Sequence, residues 1–306
     1  MSGYKDYGRN VLSFIKSFPL LFRSRIEPIF LWTWSAAIAC MVAGRGFPPL
    51  NIMLMTLTST ILVTASVYIY NDVVDADMDK LNVTKISRPL VNGSVSTSLA
   101  YIFICLTGLL GLGLAYLINL NTFLISLSWW ILFFLYSYPP IRLKKKFLVK
   151  EITTSSGQIF NALIGSYAIT NTLNITVVFA GLIFWLFTFL GLPAFADTLD
   201  QKEDELFKVK TLARVLSWRR KVQLMGIGVL LMMTVLPLTY SRLGLSVLLP
   251  IFLVVSSLVL LRWVIFPTMN TNYTTLTVLR TRKLVTIYLL IAQIVLIISS
   301  MNLGLI

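Results

Sequence analysis

Apolar residues recur along this chain in long unbroken runs, and polar residues are confined to the stretches between them. Nine runs of spanning length lie at about 28–44, 50–71, 98–118, 121–138, 153–170, 174–196, 222–240, 245–264 and 284–304. A helix needs about 20 apolar residues to cross a bilayer, so each run predicts one transmembrane helix. The runs are apolar on every face and do not alternate, which argues against barrel strands. The expected fold class is all-α, a polytopic membrane protein.

Composition agrees. Of 306 residues, 57% are hydrophobic and 12% charged, where a soluble domain carries about 25% charged residues. The net charge of +14 raises nucleic acid as a partner, but the distribution of the basic residues argues against it. With the N-terminus inside, 24 of the 26 lysines and arginines fall on the inner side, and only Arg45 and Arg242 fall outside. Positive charge on the inner loops orients a membrane protein. The expectation is an integral, multi-pass protein with a cytoplasmic N-terminus, an external C-terminus, membrane lipid as its surroundings and no nucleic-acid partner. Arg142, Lys144, Lys145, Lys146 and Lys150 read as such inner charges, placed to meet anionic lipid. Residues 10–22 read as an amphipathic segment on the inner interface. Arg23 and Arg25 precede a first run that starts too late for a cleavable signal.

Histidine is absent, which removes the commonest general base and zinc ligand. Cys40 and Cys105 both fall in apolar runs and read as buried small residues.

The acidic residues change the picture. Nine of twelve sit in two clusters, at Asp72, Asp75, Asp77 and Asp79 and at Asp197, Asp200, Glu203, Asp204 and Glu205. Each cluster begins where an apolar run reaches the cytoplasmic face, and each contains D-x-x-D-x-x-x-D. On a helix, positions i, i+3 and i+7 share a face, so each motif is expected to present three carboxylates together. Asn71 joins the first face, one turn before Asp75. Like charges so placed repel, and the cost rises near a membrane. A hard divalent cation relieves it: Mg²⁺ takes oxygen ligands and is held by one or two carboxylates plus substrate phosphates. Lys85 and Arg88 follow the first cluster, and Lys208 and Lys210 the second, as donors a diphosphate requires. The plain alternatives are a solvated helix end and ordinary inner charges.

Tyr136-Ser-Tyr-Pro-Pro-Ile-Arg-Leu-Lys144 closes the fourth run, with Pro139-Pro140 ending the helix. Tyr136 and Tyr138 then lie at interface depth, either as an aromatic belt or as a ring face for a cation. Ser155, Ser156, Gln158 and Asn161 lie inside the fifth run and either line a cavity or bond between helices.

These residues resemble the UbiA-type intramembrane prenyltransferase superfamily. Asn71-Asp72-x-x-Asp75-x-x-x-Asp79 is similar to its N-D-x-x-D-x-x-x-D. Asp197-x-x-Asp200-x-x-x-Asp204 is similar to its second motif. Arg88-Pro with Gly93, Lys210-Thr-Leu and Tyr136-Ser-Tyr-Pro-Pro match its linking segments. Two departures are Glu203 in place of a glycine and a longer spacing from Asp79 to Arg88.

The resemblance implies one helical domain over 1–306, in two four-helix halves (about 20–140 and 150–265) plus a ninth helix at about 284–304. It implies a central cavity open to lipid, with a cytoplasmic-side active site. The implied activity is Mg²⁺-dependent transfer of an isoprenyl group from an allylic polyprenyl diphosphate to a lipophilic acceptor, either an aromatic quinone precursor or a prenylated glycerol phosphate. Carried over by position, Asn71, Asp75, Asp79, Asp197, Asp200 and Asp204 are the expected metal ligands. Asp75, Asp79, Asp200, Asp204 and Tyr136 are the expected catalytic set. Asn71, Asp72, Arg88, Lys85, Lys210, Arg25 and Lys208 are the expected diphosphate contacts. No obligatory protein partner is expected. The competing readings are related diphosphate chemistry with a tetrapyrrole or phosphorylated-sugar acceptor, terpene cyclisation without an acceptor, and a divalent-cation transporter.

Overall fold

A computed structural model of the chain describes residues 17–82, 85–195, 197–199, 201–206 and 209–301. Among the described residues every regular element is helical, and eight helices are long and apolar enough to cross a membrane.

The first spanning helices are α1 (Ile26–Ala43), α2 (Leu50–Asp79), α3 (Thr97–Ile118) and α4 (Leu120–Ser137). The fifth run differs from expectation. It forms two consecutive helices, α5 (Val149–Ser155) and α6 (Gly157–Thr170), meeting at Ser156, so neither alone has spanning length. Next come α7 (Ile175–Phe195), the short α8 (Gln201–Leu206) and α9 (Leu212–Val215), then α10 (Trp218–Thr239). The eighth run is α11 (Leu248–Leu260), a π-turn (Leu261–Ile265) and α12 (Phe266–Met269). Pro267 has no N–H to give the preceding turn, which accounts for the widened backbone there. The last helix is α13 (Thr275–Ser300).

Polar side chains set several starts. Ser96, Asn119 and Thr274 accept from Leu99, Thr122 and Thr277 N–H at the first turns of α3, α4 and α13. Helix α2 has 30 residues, about 45 Å at the usual rise, well beyond a hydrocarbon core of about 30 Å. Its surplus turns carry Asn71 to Asp79 out of the apolar layer.

Helix α2 lies along α3, α7 along α10, and α1 along α6. The α1–α6 approach depends on glycine. A Cβ on Gly165 would sit 2.5 Å from Ala39 Cβ, and one on Gly157 would sit 2.5 Å from the Trp32 ring. Helices α1, α7 and α13 also touch one another, which brings the first and last spanning helices together. Large apolar side chains such as Leu109, Leu117 and Ile175 are exposed on the outside of the bundle, as a lipid-facing surface requires.

The segment expected at the inner interface is described in part, and one expectation, on Cys105, is corrected. Of the segment 10–22, the described residues 17–22 are helical and Leu21 is buried in the bundle. Phe18 packs on Phe103 of α3, ring centroids 5.2 Å apart, so one apolar face of the segment is covered by α3. Cys40 is buried, but Cys105 is exposed on the outer side of α3.

Candidate active site

Helix α2 continues unbroken through the first motif, so Asn71, Asp75 and Asp79 do share one face. Asp72, Asp75 and Asp79 are all buried, and each is met by cations. Arg25, at the N-terminal edge of α1, donates through Nε to Asp72 Oδ2 at 2.9 Å and through Nη2 to Oδ1. Arg88 Nη1 lies 3.2 Å from Asp72 Oδ1 and also bonds Asp79. Lys85 Nζ is 3.4 Å from Asp79 Oδ1. Asp75 is held by Arg142 Nη2 at 3.0 Å and by Lys144. Asn71 Nδ2 donates to Asp75 Oδ2 at 2.9 Å and to Ser137 Oγ at 2.8 Å, locking the motif to the end of α4. Asp77 faces away, fully solvated beside Lys80.

The second motif is not a continuous helix, which corrects the expectation of a shared i, i+3, i+7 face. Helix α7 ends at Phe195, just after Pro193. Asp197 N–H reaches back to Leu192 O at 3.0 Å and Thr198 Oγ1 bonds Pro193 O, so the chain turns before α8 begins. Asp197 and Asp204 nevertheless converge, because Lys150 Nζ lies 3.3 Å from Asp197 and 3.2 Å from Asp204. Asp200 and Lys208 lie outside the described residues. Lys210 is not brought to the carboxylates: its Nζ sits over the Phe147 ring, 5.3 Å from the centroid.

A polar cavity of about 140 Å³ opens between the two motifs, lined by Asn71, Asp75, Lys85, Tyr136, Lys144 and Lys150, among others. A larger chamber of about 360 Å³ lies beside it between α1, α7 and α13. Thr154 joins the two: it lines the chamber and donates to the Tyr136 hydroxyl at 3.4 Å. At this end the chamber wall carries Trp32 and Tyr68, with Trp32 Nε1 donating to Tyr68 OH at 3.0 Å. Arg25 lies 5.7 Å from the Tyr68 ring centroid.

A family model described as the UbiA prenyltransferase family matches residues 31–276. The chain belongs to the UbiA prenyltransferase family. Among curated relatives, 4-hydroxybenzoate octaprenyltransferases of Shewanella sp. (strain W3-18-1) and Shewanella baltica (strain OS155 / ATCC BAA-1091) are 34% identical over 89 residues. That match spans 29% of this chain and only 31% of each relative's length. A solved structure concerned with digeranylgeranylglyceryl phosphate synthase shares the fold at TM-score 0.69 and 20% identity, covering 95% of this chain and 99% of that one. A UbiA homologue from Archaeoglobus fulgidus, bound to GPP and Mg²⁺, follows at TM-score 0.65 and 18% identity, covering 91% and 99%.

The donor set of this UbiA-family chain suits a hard divalent cation. Asp197 Oδ2 and Glu151 Oε2 are buried with no hydrogen-bond partner, a costly state for carboxylate oxygens unless a cation or proton meets them. Burial pushes the Asp197 carboxyl up to about 6, although Lys150 opposes the shift. Among the described residues no three carboxylates close around one point.

Several residues of the site were missed in the sequence. Arg142, Lys144 and Lys150 read there as orienting charges but are ion-paired partners of the motifs. Glu151 is fully buried and accepts the Leu212 N–H at 2.8 Å, fixing the 210–212 turn. Lys221 read as a loop charge, but it is a buried amine in α10, bonded to Thr198 Oγ1 at 3.1 Å and Gln201 Oε1 at 3.3 Å. One signal was available. Glu151 is among only three acidic residues outside the clusters, and it directly follows Lys150.

Proposed function

We propose that this chain transfers an isoprenyl group from an allylic diphosphate to a lipophilic acceptor, with Mg²⁺ bridging the diphosphate and the Asp motifs. The observation that carries this reading is the junction of a cation-rich acidic cavity with an apolar, aromatic-walled chamber. A prenyl diphosphate has one end suited to each.

In this reading Asp75 and Asp79 on one side and Asp197, Asp200 and Asp204 on the other are the metal-facing groups, with Asn71 Oδ1 beside them. When bound, Mg²⁺ supplies charge neutralisation for the departing diphosphate. Arg88, Lys85, Arg142, Lys144 and Lys150 supply N–H donors to the same oxygens. Asp72, saturated by Arg25 and Arg88, orients those arginines and is not a ligand itself. The allylic C–O bond breaks with its electron pair leaving on the diphosphate. The acceptor's nucleophilic atom then bonds the allylic carbon and loses a proton, which the released diphosphate, a motif carboxylate or water takes up. Tyr68, Trp32 and Tyr136 offer ring faces to the developing cation, and the apolar wall keeps water from capturing it. The acceptor class is an aromatic quinone precursor or a prenylated glycerol phosphate. The bundle end that carries the motifs is assigned to the cytoplasm, with the C-terminus outside, from the basic loops.

The test is turnover of purified protein with geranyl and geranylgeranyl diphosphate, with and without Mg²⁺, over a mixed acceptor panel read by mass spectrometry. Mg²⁺-dependent prenylated product supports the reading and names the acceptor. Diphosphate release without such a product redirects it to cyclisation. No release from any substrate rejects it.

A further inference from the structure

The apolar chamber ends on two buried amides. Helix α13 lines it with Arg282, Val285, Thr286, Leu289, Leu290 and Gln293, one face of the helix from the motif end inward. Arg282 and Gln293 are about 16 Å apart along that axis. Gln158 of α6 lines the chamber as well. Both glutamines are buried, and both also line a second, narrow cavity of about 20 Å³ that continues deeper between α1, α6 and α7. The two cavities are thus in line, and the amides stand between them.

The amides are held in place. Trp34 Nε1 donates to Gln293 Oε1 at 2.8 Å, and Ser35 Oγ donates to Gln158 Oε1 at 2.8 Å. An indole N–H can only donate, so the Gln293 carbonyl must face Trp34 and its NH₂ must face elsewhere. A hydrocarbon tail cannot satisfy an amide NH₂, and pressing one against it carries the desolvation cost of a buried polar group. Beyond the amides the space narrows but stays apolar, with Ala39, Ala162 and Gly181 beside Ile38, Phe184 and Leu296, so the amide pair is the polar element at the end of the chamber.

We propose that Gln158 and Gln293 form a polar floor that sets the longest prenyl chain the chamber holds. The inference rests on the prenyl-diphosphate reading above. A tail that reaches the floor fills the apolar wall. A longer one must fold back, leave sideways into lipid, or bury against the amides. Converting the floor to apolar or smaller side chains joins the chamber to the narrow cavity and moves the optimum to longer chains.

The experiment measures binding of geranyl, farnesyl and geranylgeranyl thiolodiphosphates to the full chain in detergent with Mg²⁺, by calorimetry and ligand-induced thermal shift. Wild type, Gln293→Leu, Gln293→Ala and Gln158→Ala are compared. Wild-type affinity is expected to rise with chain length and then fall. In the variants the ratio of affinities for the longest over the shortest chain is expected to rise by about tenfold, the scale of a changed apolar pocket. Gln293→Leu keeps the volume, so it reports the amide even if the alanine variants fold poorly. Unchanged ratios in folded Gln293→Leu overturn the floor, as does wild-type affinity that is flat or rises without limit with length. Binding of every chain length with no discrimination leaves the diphosphate reading standing and removes only the floor. No binding of any thiolodiphosphate removes both.

Discussion

Arg142 and Asp75 are far apart in sequence, yet Arg142 Nη2 lies 3.0 Å from Asp75 Oδ1. Arg142 sits in the left-handed region at φ 40°, just after the Pro139-Pro140 pair. The double proline thus does more than end α4: it swings a guanidinium back over the first motif. Arg142→Ala is expected to weaken prenyl-diphosphate binding by about tenfold to a hundredfold, the scale of a lost charge-assisted hydrogen bond. Calorimetric titration with a thiolodiphosphate reads the change; an unaltered Kd removes Arg142 from the site.

Asp75→Ala and Asp200→Ala are each expected to abolish turnover while the protein still inserts and purifies as a monodisperse species. The assay is Mg²⁺-dependent product formation alongside size-exclusion chromatography. Retained activity in both variants removes the metal role of the motifs.

Divalent-cation affinity is expected to depend on pH through Asp197. Burial raises its carboxyl to about 6, above the ordinary carboxylate range. Below that pH the group carries a proton that a metal must displace, so affinity falls by about tenfold per pH unit. Above it the carboxylate is free to bind. The same shift makes ionised Asp197 a burden on stability above pH 6, which is relieved as pH falls through 6. Mg²⁺ or Mn²⁺ titrations from pH 5 to 7.5 should show this slope in wild type and lose it in Asp197→Asn.

Gly165→Ala should destabilise the bundle by roughly 1–3 kcal/mol, since the new methyl meets Ala39 and the α1 backbone. Gly113→Ala, where nothing lies within 4 Å, should be neutral or slightly stabilising. Thermal unfolding in detergent separates the two, and equal midpoints contradict the close α1–α6 packing.

Single cysteines at positions 242 and 144, in a background without Cys40 and Cys105, test orientation. An impermeant thiol reagent applied to the outside of intact cells should label position 242 and not 144. The reverse pattern inverts the assigned topology.

Most of the spanning elements were legible because bilayer thickness imposes a length that apolar runs display directly. The first motif was legible because an uninterrupted helix converts spacing into a shared face. The second was harder. Pro193 and the Asp197–Leu192 bond unwind the chain, so Asp197 and Asp204 meet through Lys150 and not through helical periodicity. Helix α13 begins at Thr275 and α10 at Trp218, each earlier than its apolar run. Arginines and lysines in those first turns, Lys221 above all, therefore read as loop charges while they belong to helices. Pairings such as Lys144 with Asp75 depend on how loops fold back over the motifs, which local pattern does not encode.

Helix α13, the last of the described elements, forms one wall of the chamber and meets α1, where Arg282 bonds Glu27. The chamber therefore cannot exist before α13 has been made. Both aspartate motifs precede α13 in the chain, and without α13 the space between α1 and α7 lacks that wall. Only when α13 docks on α1 is that wall in place. A chain cut short before Thr275 would hold every motif residue and lack the chamber wall that α13 provides.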